Sequence, residues 1–261
     1  MKAMIFAAGL GTRLRPLTDD RPKALVEIDG RTMLEITLAR LRDFDIREVV
    51  INVHHFADKL IQYLEAHDNF GMRIDVSRED VLLDTGGGLK KAAHFFLADS
   101  RAVDADEPIL VHNVDVLSTI DLGKMTEAHA AHKALATLAV QERKTSRYLL
   151  FDDDQKFCGR RIGEAATAEI VRPSRHVHPL AFAGIHIVSP RLLTKLTEDG
   201  AFSIIVSYLR LAGEGQPIFG FRADEYSWRD LGRPADLEQA ARDLKEQRTD
   251  INGANRLPSG P

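Results

Sequence analysis

The sequence predicts an α/β protein built on a mostly parallel sheet, and three observations carry that expectation. Short apolar runs alternate with stretches of helical period up to residue 78, giving the order β-α-β-α-β that calls for parallel pairing with right-handed crossovers. The first run, Ala3-Met4-Ile5-Phe6-Ala7-Ala8, stops abruptly at Gly9, as a buried strand does when it delivers a loop to a sheet edge. From Arg147 the spacing changes to that of a hairpin, so a smaller β-rich portion follows.

The elements follow in order. Ala24–Ile28 is a short apolar run closed by the Asp29-Gly30 turn signal, and Thr32-x-x-Glu35 has the spacing of a capping box opening a helix to about Phe44. Glu48–Val53 reads as a buried strand, Ala57–Ala66 as a helix with Leu60, Ile61 and Leu64 inward, and Arg73–Arg78 as a third strand. A triple-glycine loop, Thr85-Gly86-Gly87-Gly88, precedes a helix that carries Lys90 and Lys91 on its first turn and runs to Leu97. Pro108–His112 is a strand, Leu122–His132 a helix and Ala134–Gln141 a strand. Tyr148–Phe151 and Lys156–Ile162 form a hairpin about Asp152-Asp153-Asp154, which reads as a solvated turn. Ala181–Val188 is a strand with Gly184 inside it, a mark of close approach to the backbone by a ligand or by another part of the chain. Helices at Pro190–Leu196 and Ser203–Ala212, a strand at Pro217–Phe221 and a helix at Pro234–Lys245 complete one domain, 1–245. Residues 246–261 read as a flexible tail.

Bulk composition narrows the function. The 261 residues carry 35 Lys and Arg against 39 Asp and Glu, a net charge of -4, so no basic excess points to nucleic acid or a membrane surface. One cysteine, Cys158, excludes an internal disulfide and suits a cytoplasmic location. The N-terminal apolar run is too short for a signal peptide and meets Arg13 and Arg15, so it is expected to be part of the fold.

The loop after the first strand is long for a connector in such folds and gathers Gly9, Gly11, Arg13, Arg15, Pro16, Pro22 and Lys23. Glycines bring backbone N–H groups close to an anion and the cations neutralise it, so a phosphate clamp stands beside the plainer reading of a tight turn with solvated arginines. GxGxxG would need glycine where Leu14 stands, and GxxxxGK[ST] fits nowhere. Asp115 follows a strand end in Asn113-Val114-Asp115, the usual place for a hard oxygen ligand to Mg²⁺, and Asp230 is a second strand-end aspartate. His54-His55 and His176-x-His178 lack helical metal spacing and read as surface or core histidines.

Together Gly9, Gly11, Thr12 and Arg13, then Pro16 and Thr18, then Pro22-Lys23 resemble the signature of the sugar-1-phosphate nucleotidyltransferases, and the resemblance covers roughly residues 1 to 245. It implies a three-layer α/β/α, Rossmann-like mostly parallel sheet, with a nucleotide-binding part over about 1–142 and a small β-rich sugar-binding part over about 143–245. It implies that Ala7, Ala8, Gly9, Gly11 and Thr12 hold the nucleoside triphosphate, that Arg13 contacts its β- and γ-phosphates, and that Lys23 bridges phosphates at the reacting centre. The match further implies Mg²⁺ on Asp115 and Asp230, base contacts from Thr85, Gly86, Gly87 and Gly88, nucleotide contact from Asn113, and sugar contact from Gly184. Two departures stand out: Val114 replaces a glycine common in the family, and Ile170-Val171-Arg172-Pro173 stands where many members have Glu-Lys-Pro, leaving Arg172 as the candidate for the sugar phosphate. The Leu-Asp-Thr-Gly-Gly-Gly-Leu segment and the length are most similar to the N-acetylmuramate-1-phosphate uridylyltransferases, which use UTP, and next to mannose-1-phosphate guanylyltransferases. A phosphocholine cytidylyltransferase and a non-catalytic sensor are the alternatives. The expected partners are an NTP and a sugar 1-phosphate, without nucleic acid or membrane, in a monomer or small homo-oligomer.

Overall fold

A computed structural model of the chain describes residues 1–98, 106–163 and 167–243. The expected tail and the last two residues of the expected closing helix lie outside the described residues.

The first apolar run forms β1 (Lys2–Phe6), and after the long loop a ribbon of β2 (Glu27–Ile28) and β3 (Arg31–Thr32) leads into α1 (Met33–Asp43). The Thr32 hydroxyl accepts the Glu35 N–H at 3.0 Å, but the Glu35 carboxylate turns to Arg31 at 2.7 Å, so only half of the capping box forms. β4 (Glu48–Val53), α2 (Ala57–Ala66) and β5 (Arg73–Arg78) fall where periodicity puts them. Leu60 and Leu64 are buried, while Ile61 is half-buried.

The next element departs from expectation. α3 (Asp84–Leu97) begins before the three glycines, so Gly86, Gly87 and Gly88 lie within the helix rather than in a loop ahead of it. Glycine is a poor helix former, and packing overrides that preference. A Cβ on Gly86 would stand 2.2 Å from the Phe202 ring, and one on Gly87 would stand 2.5 Å from the Gly200 carbonyl.

β6 (Ile109–Asn113), β7 (Val116–Ser118), α4 (Leu122–Ala131) and β8 (Ala136–Gln141) follow. The hairpin is β9 (Arg147–Phe151) with β10 (Phe157–Ile162), and β11 (Glu169–Ile170) flanks it. Then come β12 (His178–Val188), α5 (Pro190–Leu193), α6 (Ile204–Gly213), β13 (Ile218–Arg222), β14 (Trp228–Asp230) and a closing helix, α7, over 234–243.

The main sheet runs β11-β10-β9-β12-β6-β1-β4-β5, with β8 beside β12 and β13 beside β8. β1, β4, β5 and β6 are parallel to one another, and the long β12 runs antiparallel to β6, β8 and β9. Successive residues of β1 serve opposite faces, as pleating requires. Ala3 and Ile5 pack with Leu34, Leu38 and Leu60 of α1 and α2, whereas Met4 packs with Leu89, Phe96 and Tyr208 of α3 and α6. Helices therefore cover both faces, making three layers. Buried on both sides, β4 carries five buried residues in its six, which accounts for its continuous apolar run.

Candidate active site

A cavity of about 590 Å³ opens at the carboxyl ends of β1, β4 and β6, where open parallel sheets take their ligands. The loop leaving β1 forms one wall. Gly11 has φ +66°, and a Cβ there would stand 2.9 Å from Thr18, whose hydroxyl donates to the Gly11 carbonyl at 2.9 Å. Only glycine meets both demands without strain. The short helical turn Thr12–Leu14 then sets Leu14 into the core and leaves Arg13 on the surface of the cavity. A second short turn, Lys23–Leu25, holds Lys23 against the Asp115 carboxylate in an ion pair.

The two aspartates are brought together by the ribbon of β7 and β14. Asp230 pairs opposite Val116, and the Leu231 N–H donates to the Asp115 carbonyl at 2.8 Å. The Gly232 N–H donates to Asp230 Oδ1 at 2.7 Å. A Cβ on Gly232 would lie 2.5 Å from Arg13 Nη2 and 2.7 Å from Asp230 Oδ1, so this glycine makes room for the guanidinium beside that carboxylate. Arg13, Lys23, Asp115 and Asp230, drawn from three distant stretches of sequence, thus meet at one corner.

Of the remaining sequence candidates, Ala7, Ala8, Gly9, Gly11, Thr12, Thr85 and Asn113 line the cavity. Gly86, Gly87 and Gly88 do not. The N–H groups of Gly86 and Gly87 both point at the Phe202 carbonyl, at 2.8 and 3.3 Å, and a Cβ on Gly88 would strike Glu79 Oε1 and Asn52 Nδ2. These glycines admit protein rather than leaving donors open. Gly184 has φ +74° and sits in a bulge where β12 slips register between Phe182 and His186. The group closest to its missing Cβ is the Asn113 amide at 2.8 Å.

Arg172 is corrected more sharply. Its guanidinium donates to Asp152 Oδ2 at 2.6 Å, to the Phe157 and Lys156 carbonyls at 3.1 Å each, and to Cys158 Sγ at 3.2 Å, away from the cavity. Asp152 is correspondingly not the solvated turn residue expected but 8% exposed. Burial alone would raise its carboxyl, but Arg172 and the Lys156 N–H outweigh that and hold it below the usual carboxylate range. Asp153 accepts from His176 and His178 at 3.1 and 2.7 Å on the exposed side of the turn. Among the described residues no group of three or more His, Cys, Asp or Glu side chains is arranged to hold a metal ion.

Two buried polar residues of the cavity wall escape sequence reasoning. Asn52, at the end of β4, accepts the Ala7 N–H at 2.8 Å and donates to Glu79 Oε1 at 2.7 Å, and Glu79 Oε2 accepts the Leu83 N–H at 3.0 Å. Both side chains are buried and line the cavity, fixing the start of the β1 loop to the start of α3. An asparagine inside an otherwise apolar strand was the available signal. Behind this corner, His112 is fully buried, and burial lowers its imidazole to about 4, so it stays neutral.

A three-layer sheet with a cation-lined cavity at its strand ends defines a nucleotide-handling class. Residues 2–247 match the family described as Nucleotidyl transferase, and the chain belongs to it. It is 35% identical over 237 residues, 89% of this chain and 92% of the relative, to an N-acetylmuramate alpha-1-phosphate uridylyltransferase of Caulobacter vibrioides. It is 29% identical to a mannose-1-phosphate guanyltransferase of Pichia angusta, covering 91% of this chain and 62% of that one. In fold it is similar to HddC from Yersinia pseudotuberculosis complexed with GMP-PN, with a TM-score of 0.72, 22% identity, and 93% and 99% of the two chains covered.

Proposed function

We propose that the chain transfers a uridylyl group from UTP to a sugar 1-phosphate, N-acetylmuramate 1-phosphate, releasing pyrophosphate and a UDP-sugar. The observation that carries the proposal is the corner where Arg13, Lys23 and Asp115 line one cavity beside a glycine-bearing loop. A phosphate oxygen of the acceptor attacks the α-phosphorus, the bond from that phosphorus to the bridging oxygen of pyrophosphate breaks, and the leaving group carries away the electron pair. The nucleophile is already an anion, so no general base is needed and rate comes from alignment and charge neutralisation. Arg13 and Lys23 serve the departing pyrophosphate.

Mg²⁺ fits the donor set: two carboxylates, Asp115 and Asp230, stand on adjoining strand ends, and this ion characteristically takes one or two carboxylates with phosphate oxygens and water completing its shell. When bound it would screen repulsion between the two anionic substrates. Lys23 holds Asp115 until phosphate oxygens draw the ammonium away. No helix among the described residues is long and apolar enough to cross a membrane, and a cytoplasmic site of action suits these substrates.

The second reading, a mannose-1-phosphate guanylyltransferase, is favoured by the likeness to the Pichia angusta enzyme. Pyrophosphate release with Mg²⁺, each NTP in turn and a panel of sugar 1-phosphates separates them. UTP with N-acetylmuramate 1-phosphate is expected to give the highest kcat/KM. Preference for GTP with mannose 1-phosphate would favour the second reading, and nucleotide binding without turnover would make the chain a sensor.

A further inference from the structure

With Arg172 committed to Asp152, the acceptor's phosphate lacks the cation that sequence comparison offered it, and the structure supplies another. Arg143, two residues past the end of β8, lies with its guanidinium carbon 3.7 Å from the centre of the Trp228 ring. Its Nη2 donates to the Phe182 carbonyl at 2.8 Å, and the Trp228 indole N–H donates to the Ala183 carbonyl at 2.7 Å. Both side chains therefore grip β12 beside the Gly184 bulge. That bulge leans on Asn113, a residue of the cavity wall, and Trp228 is two residues before Asp230.

What marks Arg143 is how little of it is satisfied. Its Nε–H is buried without an acceptor, and among the described residues it forms no ion pair. Burial lowers its affinity for its proton, and the Asp230 carboxylate is the main charge opposing that effect. Holding a half-buried guanidinium without a contacting carboxylate costs folding energy. Stacking on an indole face offsets part of that cost and fixes the plane of the fork.

We infer that Arg143 is the acceptor-phosphate-binding residue: its guanidinium receives the anionic phosphate of the sugar 1-phosphate between Trp228 and the Gly184 bulge, next to the cavity wall at Asn113. The assignment rests on the acceptor reading above. A planar fork suits two phosphate oxygens at once, which an ammonium cannot match. The same placement leaves the NTP to Arg13 and Lys23, so the two anions have separate cations.

Trp228 is the only tryptophan of the chain, so its emission reports on this place alone. In the full-length protein, N-acetylmuramate 1-phosphate is expected to change that emission saturably. Arg143→Met should abolish the response and raise the acceptor KM on the order of 10- to 100-fold, the loss of a charge-assisted contact. Its Kd for UTP, by calorimetry, should stay within about twofold. Arg143→Lys should recover part of the acceptor KM. An acceptor KM in Arg143→Met within about twofold of wild type, or a UTP Kd rising in step with it, overturns the assignment. If Arg143→Met does not fold, Arg143→Lys is read by the same split. If wild type turns over no sugar 1-phosphate, the acceptor reading has failed, and titration with phosphocholine and inorganic phosphate decides for Arg143: a response weakened in Arg143→Lys and lost in Arg143→Met supports it, and a silent wild type or a response unchanged in these variants overturns it.

Discussion

Lys23 holds the Asp115 carboxylate at the ends of β1 and β6, and Arg172 holds the Asp152 carboxylate under the turn of the β9–β10 hairpin. The two pairs are alike in chemistry and opposite in what surrounds them. Among the described residues the Lys23 ammonium has Asp115 as its one partner, and both members face the cavity. Arg172 has four acceptors on its Nε and Nη2, all of them from the protein and away from the cavity. A cation with one partner beside open space can trade it for a phosphate, whereas a guanidinium held by four protein acceptors staples a turn.

The largest expected effect breaks the exchangeable pair. Lys23→Ala and Asp115→Ala should each lower kcat on the order of 10²- to 10³-fold, while thermal melting shows the fold intact. Near-normal turnover in either variant would remove the distinction drawn between the pairs.

Acid separates the core between the two pairs from the pairs themselves. His112 on β6 and His186 on β12 are fully buried, and burial lowers them to about 4 and about 3, the neighbouring His112 adding to the effect at His186. His186 shares a 2.5 Å contact with the Tyr208 hydroxyl. Both titrate near 6.5 when unfolded, so the unfolded chain binds more protons below that value. The stability they contribute is full above pH 6.5 and is lost as pH falls from 6.5 through about 4, by roughly a few kcal/mol. Asp152, held below its ordinary value, keeps its pair with Arg172 through that window. Urea midpoints should therefore fall from pH 6.5 to 4 in wild type, and the slope should flatten in His186→Phe.

A smaller effect is expected at the staple. Arg172→Met leaves the Asp152 carboxylate buried without its cation and should cost roughly 1–3 kcal/mol, less than a fully buried pair because the guanidinium is partly exposed. The acceptor KM should stay within about twofold. A large rise in KM without loss of stability would return Arg172 to the site. Smallest of all, His178→Ala removes one exposed contact to Asp153 and should leave both the melting temperature and turnover unchanged.

The parallel half was legible because its elements are long and periodic: β4, α2 and β5 match their expected bounds residue for residue. The ribbons β2–β3 and β7–β14 have two or three residues per strand, too short for a period-2 signal, and they exist through pairing partners that sequence order does not reveal. The glycine run misled for a related reason. Its poor helix propensity is genuine, but Phe202, Gly200 and the Asn52–Glu79 pair fill the space where side chains would stand, and those neighbours are remote in sequence. At the site, Arg13 and Lys23 announced themselves by crowding into one loop. Glu79 and Arg143 did not, since each acquires its meaning only from a partner that the fold brings to it.

The ribbon of β7 and β14 also has a temporal meaning. Asp115 is made before the strand that sets Asp230 against it, which is the last of the described strands. Until β14 is laid down, the growing polypeptide owns the loop after β1 and one carboxylate, with neither Trp228 nor its fellow aspartate in place. On the roles proposed above, catalytic competence is withheld until Asp230 has been made, and a product that ends before residue 228 would carry the loop without the second carboxylate.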